Sequence, residues 1–243
     1  MFRNHRFSIF WIALCLLCSF SVTSVWAQDV RYQKMPLTAD GIGKRYMGRE
    51  IAGVMGWQGA AWLEREEREK EERTDILLKA LELKPGMMVA DIGAGTGYLS
   101  RRMAGAVGPI GRVLAVDVQP EMVRMLKKLA EQKGSSNIVP SLGTDTDVRL
   151  SPNSVDLAIM VDVYHELAYP FEVMESIIRA LKPGGQIVFI EYRAEDPKVP
   201  IKDLHKMSEA QVRREAEIHA VLKWDRTVDS LPWQHMVVFR KLR

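Results

Sequence analysis

One short segment of this 243-residue chain constrains its fold more than any other. Residues 87–90 are apolar, and they are followed by Asp91, by glycines at every second position, and by Leu99, Met103 and Val107 at helical spacing. A short apolar run of this kind is typical of a buried strand in a parallel sheet. Glycine allows positive φ and a close approach of a ligand to the backbone. The segment therefore predicts a strand, a ligand-binding turn and a helix in an α/β fold.

The spacing of the glycines narrows the choice of ligand. In the dinucleotide fingerprint G-x-G-x-x-G the third glycine would fall on Tyr98, so the fit fails there. The observed pattern resembles motif I of the class I S-adenosylmethionine-dependent methyltransferases, although taken alone it also fits a turn that binds nothing. The resemblance implies S-adenosylmethionine as the cofactor. It implies these cofactor-binding residues in the turn: Asp91, Gly93, Ala94, Gly95 and Gly97.

A second predicted strand, residues 112–117, ends in another acidic residue. Asp117 lies twenty residues after Gly97, about where a carboxylate that accepts ribose hydroxyls is expected. The following residues, with Pro120 and Met122, resemble a further signature of the family, which also implies a cofactor contact at Val118. The alternative is that Asp117 caps the next helix, because aspartate is a favoured N-cap residue.

The family resemblance continues through two further strands. Residues 137–140 predict a third strand, after which Thr144 occupies the position where the family commonly has an acid near the adenine, and Asp145 comes one residue later. Residues 154–162 predict a fourth strand ending in Asp162, which the resemblance places at the cofactor. His165 follows at the carboxyl end of this strand, where open α/β sheets bind ligands. It is the best candidate for a general base, with a structural histidine that caps the next helix as the alternative.

The rest of the chain completes the predicted architecture. Leu-Lys-Pro-Gly-Gly at 181–185 precedes a fifth strand, Ser208 with Gln211 predicts a capped helix, and two strand-like runs end the chain. The resemblance, which covers residues 73–243, implies a Rossmann-like, doubly wound seven-stranded sheet that is mostly parallel with a C-terminal antiparallel strand. It also implies an N-terminal helical cap over residues 28–72.

A run of mixed charges, residues 64–73, stands inside the predicted cap. Opposite charges three and four residues apart favour a solvated helix face over a binding surface. The segment before it could shape the acceptor pocket. Trp57 and Trp62 are expected mainly to pack the cap onto the sheet, with a role in lining the pocket as the alternative.

Residues 1–27 have the three-part layout of a secretory signal peptide. The alternative is an uncleaved anchor over residues 7–26, which is the only route to the membrane that the sequence offers. Both cysteines, Cys15 and Cys18, lie in this segment, so a mature chain beginning at Gln28 has no thiol. It would keep 32 of the 34 basic residues against 31 acidic ones, a balance that gives no case for a nucleic-acid partner.

The methyl acceptor is not specified by the sequence. The run from Asp162 to His165 lacks the two prolines of methyltransferases that act on nucleic-acid amines, which favours a small-molecule, lipid or protein acceptor. No pair among His205, His219 and His235 has a ligand-like spacing, so no metal site is expected. Two other functions stay open at this stage, namely a nicotinamide-dependent oxidoreductase and a non-catalytic module that binds the cofactor.

Overall fold

The computed structural model describes residues 31–243. The strands are β1 (Tyr32–Lys34), β2 (Gly41–Tyr46), β3 (Arg49–Ala52), β4 (Met88–Ile92), β5 (Arg112–Asp117), β6 (Ile138–Leu142), β7 (Val155–Val161), β8 (Leu181–Tyr192), β9 (Leu222–Val228) and β10 (Gln234–Lys241). The α-helices are α1 (Ala60–Leu63), α2 (Arg68–Glu72), α3 (Thr74–Ala80), α4 (Tyr98–Val107), α5 (Pro120–Gln132), α6 (Pro170–Ala180) and α7 (Glu209–Glu217). Short 3₁₀ helices lie at Trp57–Gly59, Tyr164–Glu166 and Asp203–His205.

Seven strands form the central sheet, in the order β6-β5-β4-β7-β8-β10-β9. The first five run parallel, and β10 is antiparallel to both of its neighbours. The predicted doubly wound, mostly parallel sheet with a C-terminal antiparallel strand is therefore confirmed. Strand order changes direction between β4 and β7, which creates the crevice where such sheets bind ligands.

Apolar residues cover both faces of this sheet because successive side chains of a strand point to opposite faces. In β7, Leu157 and Ile159 join one apolar cluster together with residues of α3, α4 and α5. Ala158 and Met160 of the same strand join the cluster that includes residues of α6 and α7. Burial on both faces explains why the strands read as continuous apolar runs in the sequence. The cap on α7 is also as predicted, since Ser208 Oγ accepts a hydrogen bond from the amide of Gln211 at 3.1 Å.

The predicted helical cap over residues 28–72 is wrong for its first half. Within the described part, β1, β2 and β3 form a separate antiparallel sheet, and helix begins only at Trp57. Tyr46 pairs with Arg49, so Met47 and Gly48 make a two-residue hairpin turn. Both turn residues have positive φ, 45° and 97°, as the tight turns that match the twist of a hairpin require.

The predicted signal peptide, and the alternative anchor over residues 7–26, lie outside the described residues. Between residues 31 and 243 no helix is long and apolar enough to cross a membrane.

Candidate active site

The glycine turn between β4 and α4 forms one wall of the site. Gly93 and Gly95 have φ values of 71° and 55°, a region that side chains disfavour. A Cβ on Gly93 would lie 2.5 Å from Cγ2 of Val163, and a Cβ on Gly95 would lie 2.5 Å from Cδ1 of Leu63. The contact with Val163 and the positive φ exclude a side chain at Gly93, and at Gly95 the positive φ strains any other residue even if Leu63 moves aside. Both residues line the cavity described below.

The carboxylate of Asp117, at the end of β5, holds this turn in place. Its Oδ2 accepts a hydrogen bond from the amide of Gly95 at 2.9 Å, and its Oδ1 accepts one from the amide of Gln119 at 2.9 Å. Asp117 lines the cavity but is otherwise buried, and burial raises the pKa of its carboxyl group while these bonds lower it. Gln119, not Asp117, occupies the N-cap position of α5.

Three predicted cofactor residues, Asp91, Ala94 and Gly97, are not among the residues that line the cavity. Asp91 is buried, and its Oδ2 accepts a hydrogen bond from Ser100 Oγ at 2.5 Å. Burial raises the pKa of Asp91 to about 6, since the Ser100 hydroxyl offsets only part of the loss of solvent. A contact of these three residues with the cofactor stays a prediction.

The cavity lies at the carboxyl ends of the parallel strands and has a volume of about 890 Å³. Small-molecule pockets range from about 300 to 1,000 Å³. This cavity therefore has room for a cofactor and a second molecule. Its wall includes the last apolar residues of three strands, Ile92, Val116 and Val161. The predicted residues Val118 and Asp145 also line it.

Asp162 directly follows β7 and lines the cavity, as the family resemblance predicts for a residue at the cofactor. Its backbone has φ of 54°, and its Oδ2 accepts a hydrogen bond from Gln234 Nε2 at 2.6 Å. Its Oδ1 is buried without a hydrogen-bond partner among the described residues. Burial, with the charges of Glu72 and Glu191, raises the pKa of Asp162 well above its usual range. An unpaired buried carboxylate oxygen in a strained residue is a strong indication of a ligand.

The charge run is only partly the solvated surface that its spacing predicts, since Glu67 and Lys70 are exposed but other charges of the run are not. Arg65, Arg68 and Glu72 all line the cavity, and Arg68 and Glu72 are buried. Glu72 lies 2.8 Å from Arg68 Nε and 2.9 Å from an Arg65 guanidinium nitrogen. The prediction failed for these three residues because charge spacing within one segment does not show that another part of the protein covers its charges. These residues were missed as functional candidates.

His165 is held by a residue of β8, Glu191, which the sequence analysis did not single out. Its Nδ1 lies 2.5 Å from Oε2 of Glu191, a fully buried residue of β8 whose Oε1 accepts the Tyr164 amide. Because a carboxylate can only accept, Nδ1 carries the proton and Nε2 presents a lone pair. Nε2 lies 3.1 Å from Nδ1 of His205. The imidazole can therefore accept a proton or ligate a metal ion through Nε2.

The N-terminal sheet fixes the loop that carries His165. Arg49 of β3 donates to the backbone oxygen of His165 at 3.0 Å and pairs with the buried Glu215 of α7 at 2.7 Å. The amide of Met55 donates to Oε2 of Glu166 at 3.2 Å. Of the two tryptophans expected mainly to pack the cap, Trp62 lines the cavity and is 50% exposed. The cap segment thus builds part of the site.

Comparison with known proteins assigns the family. A family model described as a methyltransferase domain matches residues 83–235. This match covers more than half of the chain, and the chain belongs to that family, the class I S-adenosylmethionine-dependent methyltransferases. S-adenosylmethionine is the methyl donor of this class, so the methyltransferase interpretation prevails over the oxidoreductase alternative.

Two curated relatives are named ubiquinone/menaquinone biosynthesis C-methyltransferase UbiE. The protein from Ectopseudomonas mendocina is 30% identical over 111 residues, which is 45% of this chain and 43% of the relative. The protein from Hydrogenovibrio crunogenus is 32% identical over 111 residues, with 45% and 44% covered. This chain thus spans less than half the length of these relatives.

Solved structures show the same fold over most of the chain. An S-adenosylmethionine-dependent methyltransferase from Aquifex aeolicus has a TM-score of 0.73 and 26% identity. The match covers 78% of this chain and 100% of that one. The [4+2]-cyclase SpnF matches with a TM-score of 0.60 at 16% identity, over 70% of this chain and 81% of its own, which shows the shared fold alone.

Proposed function

We propose that the cavity binds S-adenosylmethionine and a small apolar acceptor side by side, and that this chain transfers the methyl group between them. The residues present fit the cofactor. A Cβ on Gly93 or Gly95 would crowd Val163 or Leu63, so the turn presents bare backbone to a ligand. Oδ1 of Asp162 is buried and has no hydrogen-bond partner among the described residues. When bound, the cofactor supplies a methyl group on a positively charged sulfur.

Charge at the β7 end of the cavity is the observation that carries the proposal. Asp162 and Glu72 are both buried and line the cavity, and the Glu72 charge raises the pKa of Asp162. Glu72 is already paired with Arg65 and Arg68, so Asp162 is the carboxylate that favours a cationic ligand, because a nearby opposite charge offsets the loss of solvent. The sulfonium and ammonium groups of the cofactor's methionine half provide such charges. The carboxylate of the cofactor's methionine half needs a cation, and Arg68, beside Glu72, is suited to bind it.

The adenosine half then lies at the glycine turn. Asp117 is placed to accept the ribose hydroxyls beside its two backbone bonds. The adenine contact falls to Asp145, because Thr144 is engaged within its own turn, where its Oγ1 accepts the amide of Asp147 at 2.9 Å. Val118, 40% exposed and lining the cavity, offers an apolar surface to the adenine.

The acceptor is proposed to lie in the part of the cavity lined by His165. Methyl transfer forms a bond from the acceptor atom to the methyl carbon and breaks the carbon–sulfur bond, so a protonated acceptor must lose one proton. The lone pair of His165 Nε2, oriented by Glu191, is placed to take it. Alignment of the two reactants supplies most of the remaining acceleration, on the order of 7–11 kcal/mol.

Apolar walls indicate the chemical class of the acceptor. Leu167, Val173 and Ile201 line the cavity, as His165 does, and they favour an apolar body over a sugar or a charged peptide. The names of the UbiE relatives, which refer to ubiquinone and menaquinone, point in the same direction, since these quinones are largely apolar molecules. We therefore propose a small apolar acceptor with a hydroxyl group near the reacting atom.

Binding of S-adenosylmethionine and S-adenosylhomocysteine to Asp162→Asn tests the charge argument. The two ligands differ in the methyl group and the positive charge on sulfur. If Asp162 faces that charge, Asp162→Asn should weaken S-adenosylmethionine by about tenfold, equal to 1.4 kcal/mol, and S-adenosylhomocysteine by much less. Affinity of the unaltered protein for S-adenosylmethionine should also rise with pH, since the ionised carboxylate is the form that binds.

Glu175→Gln is the matched control. Glu175 is an acidic residue paired with His219 at 2.6 Å, and it is not among the residues that line the cavity. Its variant should bind both ligands as the unaltered protein does. Equal losses for the two ligands in Asp162→Asn would show that Asp162 does not face the sulfur, and the proposed orientation of the cofactor would be wrong.

A further inference from the structure

We propose that His165, Glu166 and His205 form a binding site for a divalent first-row transition-metal ion such as Zn²⁺. Each residue offers one ligand atom, and the three atoms all lie within 4.8 Å of one another. Nε2 of His165 lies 3.1 Å from Nδ1 of His205 and 3.8 Å from Oε1 of Glu166. Nδ1 of His205 lies 3.3 Å from the same glutamate oxygen.

These separations match the size of a metal site. Zinc binds nitrogen and carboxylate oxygen at about 2.0–2.2 Å with tetrahedral geometry, which places neighbouring ligand atoms about 3.3 Å apart. The triangle of donor atoms has sides of 3.1, 3.3 and 3.8 Å. A cation at its centre would therefore need only small side-chain movements.

The surrounding contacts hold the ligands as metal sites require. The other ring nitrogen of His165 is bound by the buried carboxylate of Glu191, the carboxylate–histidine–metal arrangement that fixes the tautomer of a ligating histidine. The second oxygen of Glu166 accepts the amide of Met55. The rings of His165 and His205 meet edge to face, with centroids 5.1 Å apart and an interplanar angle of 82°, and their facing nitrogens are 3.1 Å apart.

The donor set and its position indicate the kind of ion and its role. Two imidazoles and one carboxylate suit zinc, iron or nickel better than magnesium or calcium, which prefer oxygen ligands. All three residues line the large cavity. Three protein ligands with the remaining position open to a cavity are typical of catalytic rather than structural sites.

The consequence for the acceptor rests on the proposed function. An acceptor oxygen bound at the open position would lose its proton more readily, because the cation stabilises the anion. The proton would pass to solvent, and Nε2 of His165 would then be a ligand and not the base. The cation would also select acceptors with a ligating hydroxyl group.

Titration of the metal-free, full-length protein with Zn²⁺, followed by calorimetry, tests the site. We expect one ion per chain to bind through these residues. His205→Ala and Glu166→Gln should each weaken that binding by more than tenfold, and Glu191→Gln by about tenfold through the orientation of His165. His205 is only partly buried, so its removal should leave the fold intact, which circular dichroism checks.

His219→Gln is the matched control, since His219 also contacts a glutamate, Glu175, but belongs to no three-residue cluster among the described residues. It should bind Zn²⁺ as the unaltered protein does. Cobalt substitution should give an absorption spectrum of nitrogen and oxygen ligands without a thiolate band, which excludes Cys15 and Cys18. Binding that persists unchanged in folded His205→Ala and Glu166→Gln, or no binding at all, would overturn the proposal.

The same variants separate this inference from the proposed function. S-adenosylhomocysteine binding depends on the glycine turn and not on the metal, so His205→Ala should retain it. If methyl transfer survives in His205→Ala and in chelator-treated protein, the ion has no role in the transfer, whereas the metal site itself fails only if Zn²⁺ binding is absent or unchanged in the variants; the methyltransferase proposal stands in both cases. If S-adenosylhomocysteine does not bind although Zn²⁺ does, the proposed function fails instead.

Discussion

Asp117 is proposed both to stabilise the glycine turn and to bind the cofactor's ribose, and the variant Asp117→Ala allows the two roles to be measured separately. The carboxylate accepts amide hydrogen bonds from Gly95 and Gln119, both at 2.9 Å. Bonds to a charged acceptor contribute about 1.5–3 kcal/mol each. Burial opposes this, as the raised pKa of Asp117 shows. We therefore expect Asp117→Ala to lower the free energy of unfolding by about 3 kcal/mol, which is the lower value of that range for each of the two bonds.

Thermal unfolding and calorimetry on the same variant measure the two effects. A loss of about 3 kcal/mol should lower the melting temperature by about 6–12 °C in a chain of this size. Affinity for S-adenosylhomocysteine should fall by one to two decades, because the ribose loses its acceptor and the turn loses its anchor. Neither effect should require a change in the central sheet.

Asp196→Ala is a matched control for the local turn. Its Oδ1 accepts the amide of Lys198 at 2.9 Å, the same two-residue arrangement as Asp117 with Gln119, but it does not line the cavity. This variant should lose a little stability and no affinity. If Asp117→Ala loses stability while its affinity is unchanged, Asp117 only supports the turn and the ribose assignment is wrong.

Three further predictions use other parts of the chain. Gly95→Ala should weaken S-adenosylhomocysteine binding at least tenfold by calorimetry, because its Cβ would meet Leu63, whereas Gly105→Ala, with open space around it in α4, should bind normally. Since the pKa of Asp91 is raised to about 6, the folded state binds more protons than the unfolded state between about pH 4 and 6. The free energy of unfolding should therefore fall as pH rises through that window and then level off. Asp91→Asn should make this fall smaller. If the variant shows the same dependence of unfolding free energy on pH, the raised pKa does not belong to Asp91. Protein from the native host should begin at Gln28 on N-terminal sequencing, and an intact Met1 in the cytosolic fraction would contradict export.

The sequence predicts the parts of this protein that local patterns encode. The strand, turn and helix around Gly93 and Gly95, the acid at Asp117 and the cap at Ser208 follow from short-range spacing. The doubly wound, mostly parallel arrangement of the sheet followed from the family resemblance, since no local pattern specifies which strands pair.

The features that the sequence did not reveal depend on distant contacts. Arg68 and Glu72 look solvated in the sequence because nothing in their own helix shows that the cavity encloses them. His205 lies forty residues from His165, so linear spacing could not show that their nitrogens meet. The hairpin at Met47 and Gly48 has only a weak signal in the sequence, a single glycine, and the family resemblance led us to expect a helical cap there.

Titration of the full-length protein with S-adenosylhomocysteine and with NADH, by calorimetry and thermal unfolding, tests the central claim most directly. We predict that one S-adenosylhomocysteine binds per chain and stabilises the fold by about 2.7 kcal/mol at a hundredfold excess over its dissociation constant. NADH should give neither heat nor stabilisation. Stabilisation by NADH without any by S-adenosylhomocysteine would contradict the account of this site.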